Sequence, residues 1–125
     1  MKSTFRIFIL QLLTMLVFTS AAFSQSKPAY LISEVTITDK ENYTKLYMPE
    51  SRKVWTKYDA VFLVRQGAPI SLSGDNPAPG VSVLKLSSMA KAQEMASSEE
   101  FKKIREIAKP YAVIRSYIVE GVESK

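Results

Sequence analysis

Apolar and polar residues alternate with two different periods along the chain, and these periods divide most of it into strands and helices. Alternating or β-branched runs predict strands, whereas apolar residues spaced three and four apart predict helices. The predicted strands are Tyr30–Ile37, Val61–Arg65, Val81–Leu86 and Val113–Val119, and the second of them has a pattern that extends to Leu72. One predicted helix joins the first two strands, and another joins the last two.

The ends of the helices are marked by capping residues and prolines. Thr38–Asp39 offers an N-cap for the first helix, and Pro49 predicts a kink or break inside it. Ser87 or Ser88 caps the second helix, which is expected to be a single helix through Lys109 that stops before Pro110. Between the second and third strands, Ser73–Gly80 has the composition of a loop.

The resulting order, β-α-β-β-α-β, predicts an α+β protein of the ferredoxin-like class. In this class a four-stranded antiparallel sheet carries two helices on one face. Because the other face has no covering layer within the chain, we expect a second copy of the protein to cover it. The sequence therefore predicts a homodimer.

Alternation within the strands separates two faces of the sheet. The face predicted to pack against the helices is apolar and comprises Leu31, Val35, Ile37, Phe62, Val64, Leu84, Leu86, Ile114 and Ile118. The opposite face mixes aliphatic residues with one charged residue from each strand: Glu34, Arg65, Lys85 and Arg115. We expect these four charges to form a partly buried polar cluster, either between the sheet and the first helix or within the dimer. Scattered solvation of the four is the alternative.

Three cations and one carboxylate leave an excess of positive charge in this predicted cluster. Arg65 is a candidate anchor for an anionic molecule, because a guanidinium binds two oxygens at once, or it is a structural partner of an acid such as Glu34. Glu34 is a candidate proton-transfer group with a raised pKa if it is desolvated, or an ion-pair partner of Arg65, Lys85 or Arg115.

An aromatic set lies on the first predicted helix, at Tyr43, Tyr47 and Trp55. It has two interpretations: packing in the core, or a wall against which a ligand stacks. Tyr47 is included among the candidate ligand-binding residues. No metal-binding pattern is found, since Asp75 and Asn76 belong to a loop without the spaced oxygen ligands of a calcium site.

Composition limits the chemistry further. The 125 residues include no Cys and no His, so disulfides, thiolate nucleophiles, imidazole bases and His-ligated metal or haem are excluded. The formal net charge is +5, with 17 basic and 12 acidic residues, but no Lys/Arg-rich run is present. We therefore predict no nucleic-acid binding and no cofactor.

The first 24 residues have the pattern of a signal peptide. Lys2 and Arg6 precede an apolar run from Ile7 to Phe18, and the small residues Ser20, Ala21 and Ala22 follow, then Phe23 and Ser24. Cleavage before Gln25 would leave residues 25–125 as a single domain, periplasmic or secreted, without a membrane anchor. The two basic residues of this segment account for two of the five excess positive charges.

The predicted domain resembles the domain-of-unknown-function 1330 family. The similarity lies in Ala29–Val35, in Phe62–Arg65 followed by Gly67, in helix-two residues such as Ser98 and Phe101, and in the ending Ile118–Gly121. The resemblance implies a dimeric α+β barrel of ferredoxin-like subunits, in a superfamily that also contains cofactor-free monooxygenases and isomerase-like proteins. The family itself implies no activity.

Two classes of function remain open from the sequence. The first is an exported dimer that binds a small, anionic molecule beside Arg65. The second is a cofactor-independent enzyme of isomerase or monooxygenase type, with Glu34 as its proton-transfer group.

Overall fold

The computed structural model describes residues 27–123, so the predicted signal peptide and its cleavage site lie outside the described residues. Within this range the elements alternate as the sequence pattern predicts. The strands are β1 (Ala29–Ile37), β2 (Val61–Gly67), β3 (Gly80–Leu86) and β4 (Ala112–Glu120), and the helical segments are α1 (Lys40–Asn42), a π-helical turn (Tyr43–Tyr47), α2 (Met48–Lys57), α3 (Met89–Ser97) and α4 (Glu99–Ala108).

The four strands form one antiparallel sheet with the order β2-β3-β1-β4. β1 pairs with both β3 and β4, and β3 also pairs with β2. The crossover from β1 to β2 passes over β3, which is the split β-α-β arrangement of the ferredoxin-like class. The predicted fold class is confirmed.

The first helical connection is interrupted where Pro49 predicts a break. The Asp39 side chain accepts a hydrogen bond from the Asn42 amide at 3.0 Å and caps the start of α1. The Met48 amide then donates to the Tyr43 carbonyl five residues earlier, which defines the π-helical turn. Because Pro49 has no N–H, it cannot donate the next helical bond, and α2 begins with this proline in its first turn.

The second helical connection differs from its prediction, because it consists of two helices and not of one. Ser98 lies between α3 and α4 with an extended backbone (ψ 151°), and its hydroxyl accepts a hydrogen bond from the Phe101 amide. The serine thus acts as the N-cap of a new helix. The prediction of an uninterrupted helix to Lys109 is therefore wrong.

The core lies between the helices and one face of the sheet. Leu31, Leu84 and Leu86 from the sheet pack against Met95 and Ile104 from the helices, and all five are at most 3% exposed. The two-face interpretation holds for β1, β3 and β4, with Ile37 exposed at the strand end. In β2 it fails: Val64 pairs with Val83 and so lies on the face opposite the helices.

Candidate functional site

A cavity of about 380 Å³ lies between the helix-covered face of the sheet and the helices. This volume is within the range of small-molecule pockets, about 300–1,000 Å³. All four strands contribute to its floor, and the roof comes from the π-helical turn, α2 and α4. Its lining residues are Leu31, Ser33, Val35, Tyr43, Tyr47, Met48, Ser51, Arg52, Trp55, Phe62, Arg65, Gln66, Ser82, Leu84, Phe101, Ile104, Arg105, Ala108, Lys109, Ala112, Ile114 and Ser116.

Much of the cavity wall is apolar. Leu31 and Leu84 supply part of the floor, while Trp55 and Phe101 face each other at the helical side with ring centres 6.1 Å apart and planes at 62°. Such an edge-to-face pair holds two large rings in a defined position. The wall therefore offers a shaped apolar surface against which the body of a ligand can pack.

The charged residues of the cavity all have the same sign. Arg52, Arg65, Arg105 and Lys109 line it, and no described lining residue is acidic. Lys109 pairs with Glu106 at 2.5 Å, whereas the three arginines form no ion pair with any residue between 27 and 123. The site therefore carries a positive excess that its own side chains do not neutralise.

Arg65 reaches the cavity because β2 is irregular. The pairing of β2 with β3 shifts by one residue between Phe62 and Val64 and again between Val64 and Gly67, and Gln66 adopts a left-handed backbone with φ 48°. Each extra residue reverses the alternation of faces. The first of these shifts, before Val64, brings Arg65 to the cavity side, with its guanidinium carbon 4.1 Å from the centre of the Phe62 ring.

The other predicted charges lie on the opposite face of the sheet. Glu34 and Arg115 are direct neighbours on β1 and β4, and the Arg115 Nε donates to Glu34 Oε2 at 2.8 Å. Lys85 is exposed and pairs in register with Tyr30 and Val61. The structure therefore does not bring the four predicted charges together: it pairs two of them, leaves Lys85 on the same face, and moves Arg65 to the other.

The environment of Glu34 favours its ionised form. Its hydrogen bond with Arg115 is the main reason that the pKa of Glu34 is lowered, and a 3.4 Å bond from the Ala78 amide adds to the effect. A carboxyl with a lowered pKa outside the cavity is not a suitable proton-transfer group. Of the two interpretations of Glu34, the ion pair with Arg115 is the one that the structure contains.

The aromatic set of the first helical connection combines both of its interpretations. Tyr43, Tyr47 and Trp55 pack in or against the core and also line the cavity. The rings of Tyr43 and Tyr47 lie 4.7 Å apart at 36°, and burial raises the pKa of both phenols, so both keep their protons at neutral pH. Tyr47 is, with Arg65, one of the two predicted site residues that the cavity includes.

Sequence reasoning missed several residues of the cavity. Arg105 lies four residues after Phe101 and three before Ala108, both of which are buried residues of α4. This helical spacing places Arg105 near the side of the helix that faces the sheet, and it is a signal in the sequence. Arg52 directly follows the buried Ser51 in α2, so it lies next to the buried side of that helix. The serines of the cavity floor, Ser33, Ser82 and Ser116, each stand two residues from an apolar residue of the core face. The period-two pattern of the strands is therefore a signal for them.

The chain belongs to the family described as Domain of unknown function (DUF1330), whose model matches residues 28–122. The assignment confirms the resemblance seen in the sequence. No curated protein matches the sequence.

Solved structures of the same fold are distant in sequence. A protein of unknown function, RPA0582 from Rhodopseudomonas palustris, has a TM-score of 0.61 at 14% identity, covering 86% of this chain and 97% of its own. SnoaB, a cofactor-independent oxygenase from Streptomyces nogalater, has a TM-score of 0.54 at 6% identity, covering 79% and 97%. HapK from Hahella chejuensis has a TM-score of 0.54 at 16% identity, covering 78% and 95%. These likenesses show the ferredoxin-like α+β-barrel fold, which is commonly dimeric.

Two further properties hold for residues 27–123. No helix in this range is long and apolar enough to cross a membrane. No group of three or more acidic side chains in the range is arranged to hold a metal ion.

Proposed function

We propose that this protein binds a small amphipathic acid in the cavity between its sheet and its helices. The observation that carries the proposal is the composition of the cavity wall, which joins apolar side chains with Arg52, Arg65 and Arg105 and contains no described acidic residue. The apolar body of the ligand would pack against Trp55 and Phe101, and its acid group would meet the guanidinium groups.

The charges of the site support this ligand class on energetic grounds. Collecting like charges beside an apolar wall is unfavourable unless water or an anion compensates them. The three arginines are exposed, so water compensates them in the free protein, and screening limits what each contributes. An acid that enters between them gains charge-assisted hydrogen bonds and releases that water.

The experiment uses 2-naphthoate as probe and neutral 2-naphthamide as its uncharged analogue, with affinity measured by calorimetry. We expect the wild type to bind naphthoate at least tenfold more tightly than the amide. Arg65→Gln should weaken naphthoate binding about tenfold, which corresponds to about 1.4 kcal/mol, near the lower end for a bond to a charged group. Lys85→Gln is the matched control, since it removes a cation from the other face of the same sheet. Equal affinities for acid and amide would contradict the proposal.

A second candidate function is oxygenation of the bound molecule without a cofactor. Its support is the fold shared with SnoaB, which is a cofactor-independent oxygenase. Against it stands the chemistry of the wall, where the described lining residues include no carboxylate to take a proton from the substrate. The test is oxygen consumption with a hydroxynaphthoate as substrate: uptake that requires the folded protein would favour the enzyme, and binding without uptake favours the binding protein.

We also propose that the protein acts as a homodimer through the open face of its sheet. This face carries aliphatic and aromatic side chains that are between 40% and 68% exposed in the single chain: Val61, Val64, Val113, Tyr117 and Val119. Exposed apolar side chains of this number on one sheet face favour an interface, and a two-fold pairing would cover them on both copies. Light scattering should give twice the subunit mass, and Val113→Glu should give a monomer. A wild-type monomer at micromolar concentration would contradict this part.

The site of action proposed here is outside the cytoplasm, in the periplasm or the medium. The support is the signal-peptide pattern of residues 1–24. Intact-mass analysis of the native protein should find an N-terminus near Gln25. A chain that begins at Met1 and remains in the cytosol would contradict export.

A further inference from the structure

The cavity has a second polar feature besides its cations. Hydroxyl groups approach it from both walls, and together they are named the hydroxyl belt here: Tyr43, Tyr47 and Ser51 from the helical side, and Ser33, Ser82 and Ser116 from the sheet. None of them carries a charge at neutral pH. Uncharged hydroxyls do not compensate the cations of the cavity, so the belt has a role other than binding the acid group.

On the helical side, the hydroxyls are held by the π-helical turn and the start of α2. Tyr43 and Ser51 are each 5% exposed. Ser51 donates to the Met48 carbonyl at 3.0 Å, and the rings of Tyr43 and Tyr47 lie 4.7 Å apart. Pro49 follows this π-helical turn, at the start of α2. The three residues thus line the cavity together, with Tyr43 and Ser51 buried and Tyr47 half-buried.

On the sheet side, the hydroxyls come from one row across three strands. Ser33 is the register partner of Ser82 on β3 and of Ser116 on β4. Two positions before and after Ser33 on the same face are the buried Leu31 and Val35, so the row interrupts an otherwise apolar floor. A serine at such a position gives up the burial of an aliphatic side chain, and it is therefore unfavourable for the core alone.

The hydrogen bonds of this row leave donors available. Ser33 and Ser116 are bonded to each other through their hydroxyls at 2.9 Å, and the Ser82 hydroxyl accepts from the Gln66 amide at 3.0 Å. A hydroxyl has one donor and two acceptor positions. Among the bonds between described residues, the Ser82 proton and one proton of the Ser33–Ser116 pair are therefore not used.

We propose that the hydroxyl belt recognises an oxygen on the apolar body of the ligand, so that the cavity selects hydroxylated or keto-bearing amphipathic acids over plain ones. The cations hold the acid group, and the belt donates to, or accepts from, the second oxygen. A ligand without this oxygen would place an apolar surface against the belt and cover hydroxyls such as that of the buried Ser82 without giving them a partner, which is unfavourable. The inference rests on the proposed binding function and narrows its ligand class.

The test compares 2-naphthoate with its 5-, 6- and 7-hydroxy derivatives, so that the added oxygen is placed at three positions along the ring system. We expect at least one derivative to bind the wild type about fivefold more tightly than 2-naphthoate, the gain of one neutral hydrogen bond. In Ser82→Ala and Tyr43→Phe the ratio between the affinities for that derivative and for 2-naphthoate should fall toward one. Ser73→Ala, in the exposed loop, is the control variant.

The outcomes separate the inference from the function on which it rests. Binding of 2-naphthoate without preference for any hydroxy derivative overturns the role of the belt and leaves the proposed function in place. A preference that survives both variants also overturns it, because the oxygen is then recognised elsewhere. Failure of every naphthoate to bind overturns both. Thermal unfolding of each variant shows whether it is folded. If Ser82→Ala does not fold, the comparison is made with Tyr43→Phe.

Discussion

The junction between α3 and α4 offers the sharpest stability test, through Ser98→Ala. The Ser98 hydroxyl accepts a hydrogen bond from the Phe101 amide at 3.2 Å and donates one to the Met95 carbonyl at 2.6 Å. The substitution removes both bonds and leaves the Phe101 amide without its cap. Since Phe101 lines the cavity, the same change loosens one part of the cavity roof.

The magnitude follows from the geometry of the cap. Loss of a serine N-cap costs about 1 kcal/mol, within a range of about 0.5–2. The Met95 carbonyl keeps the 3.1 Å bond from the Ser98 amide, so the second lost bond adds little. For a domain of this size, 1 kcal/mol lowers the Tm by about 4–8 °C.

The assay is thermal and urea unfolding of the wild type and three variants. Ser97→Ala is the matched control, because the exposed Ser97 hydroxyl donates to the Gln93 and Glu94 carbonyls of the preceding turn of α3 and caps no helix, so its loss is expected to be neutral. Ser98→Asp should recover most of the loss, since aspartate is an equally good N-cap. Equal Tm values for Ser97→Ala and Ser98→Ala would refute the capping role of Ser98.

Three further predictions concern the core, the open face and the end of the sheet. Leu84→Ala, at a buried position that lines the cavity, should cost about 3 kcal/mol in urea unfolding and should enlarge the cavity. The Arg115 guanidinium lowers the pKa of Glu34 from 4.5, so the ion pair contributes to the free energy of unfolding above that pH and this contribution is lost as the pH falls. The difference in stability between the wild type and Glu34→Gln should therefore shrink in acid. A difference that stays constant with pH would contradict the pairing. Gly121→Ala should lower the free energy of unfolding by about 1–3 kcal/mol, because a Cβ there would lie 3.1 Å from the Pro28 carbonyl oxygen. The Gly121 amide donates to that oxygen at 2.7 Å, which holds the two segments together. An unchanged Tm would show that the backbone adapts.

Regular patterns explain why the fold could be predicted from the sequence. The alternation in β1, β3 and β4 is continuous, and it correctly places Leu31 and Leu84 against the helices. The capping residues Asp39 and Ser88 also act where the pattern indicates. The break at Ser98 was missed because the apolar spacing continues across it, although a serine three residues before Phe101 is itself a capping signal.

The candidate site could be predicted only in part, because local irregularities determine it. The register shift between Phe62 and Val64 moves Arg65 to the cavity side, and period-two alternation assumes that such shifts are absent. The π-helical turn that places Tyr43 beside Tyr47 depends on hydrogen bonding that no residue type specifies by itself. The cavity is a product of packing between layers, so its volume and its set of cations required the structure.

The most direct test of the account is to map where an amphipathic acid binds, using the amide NMR spectrum of the ¹⁵N-labelled protein during titration with 2-naphthoate. If the acid binds in the cavity, saturable shifts are expected at residues that surround it, such as Tyr47, Arg65 and Phe101, and none at Lys85 on the other face of the sheet. Shifts confined to the open face, or no saturable shift at millimolar naphthoate, would contradict it.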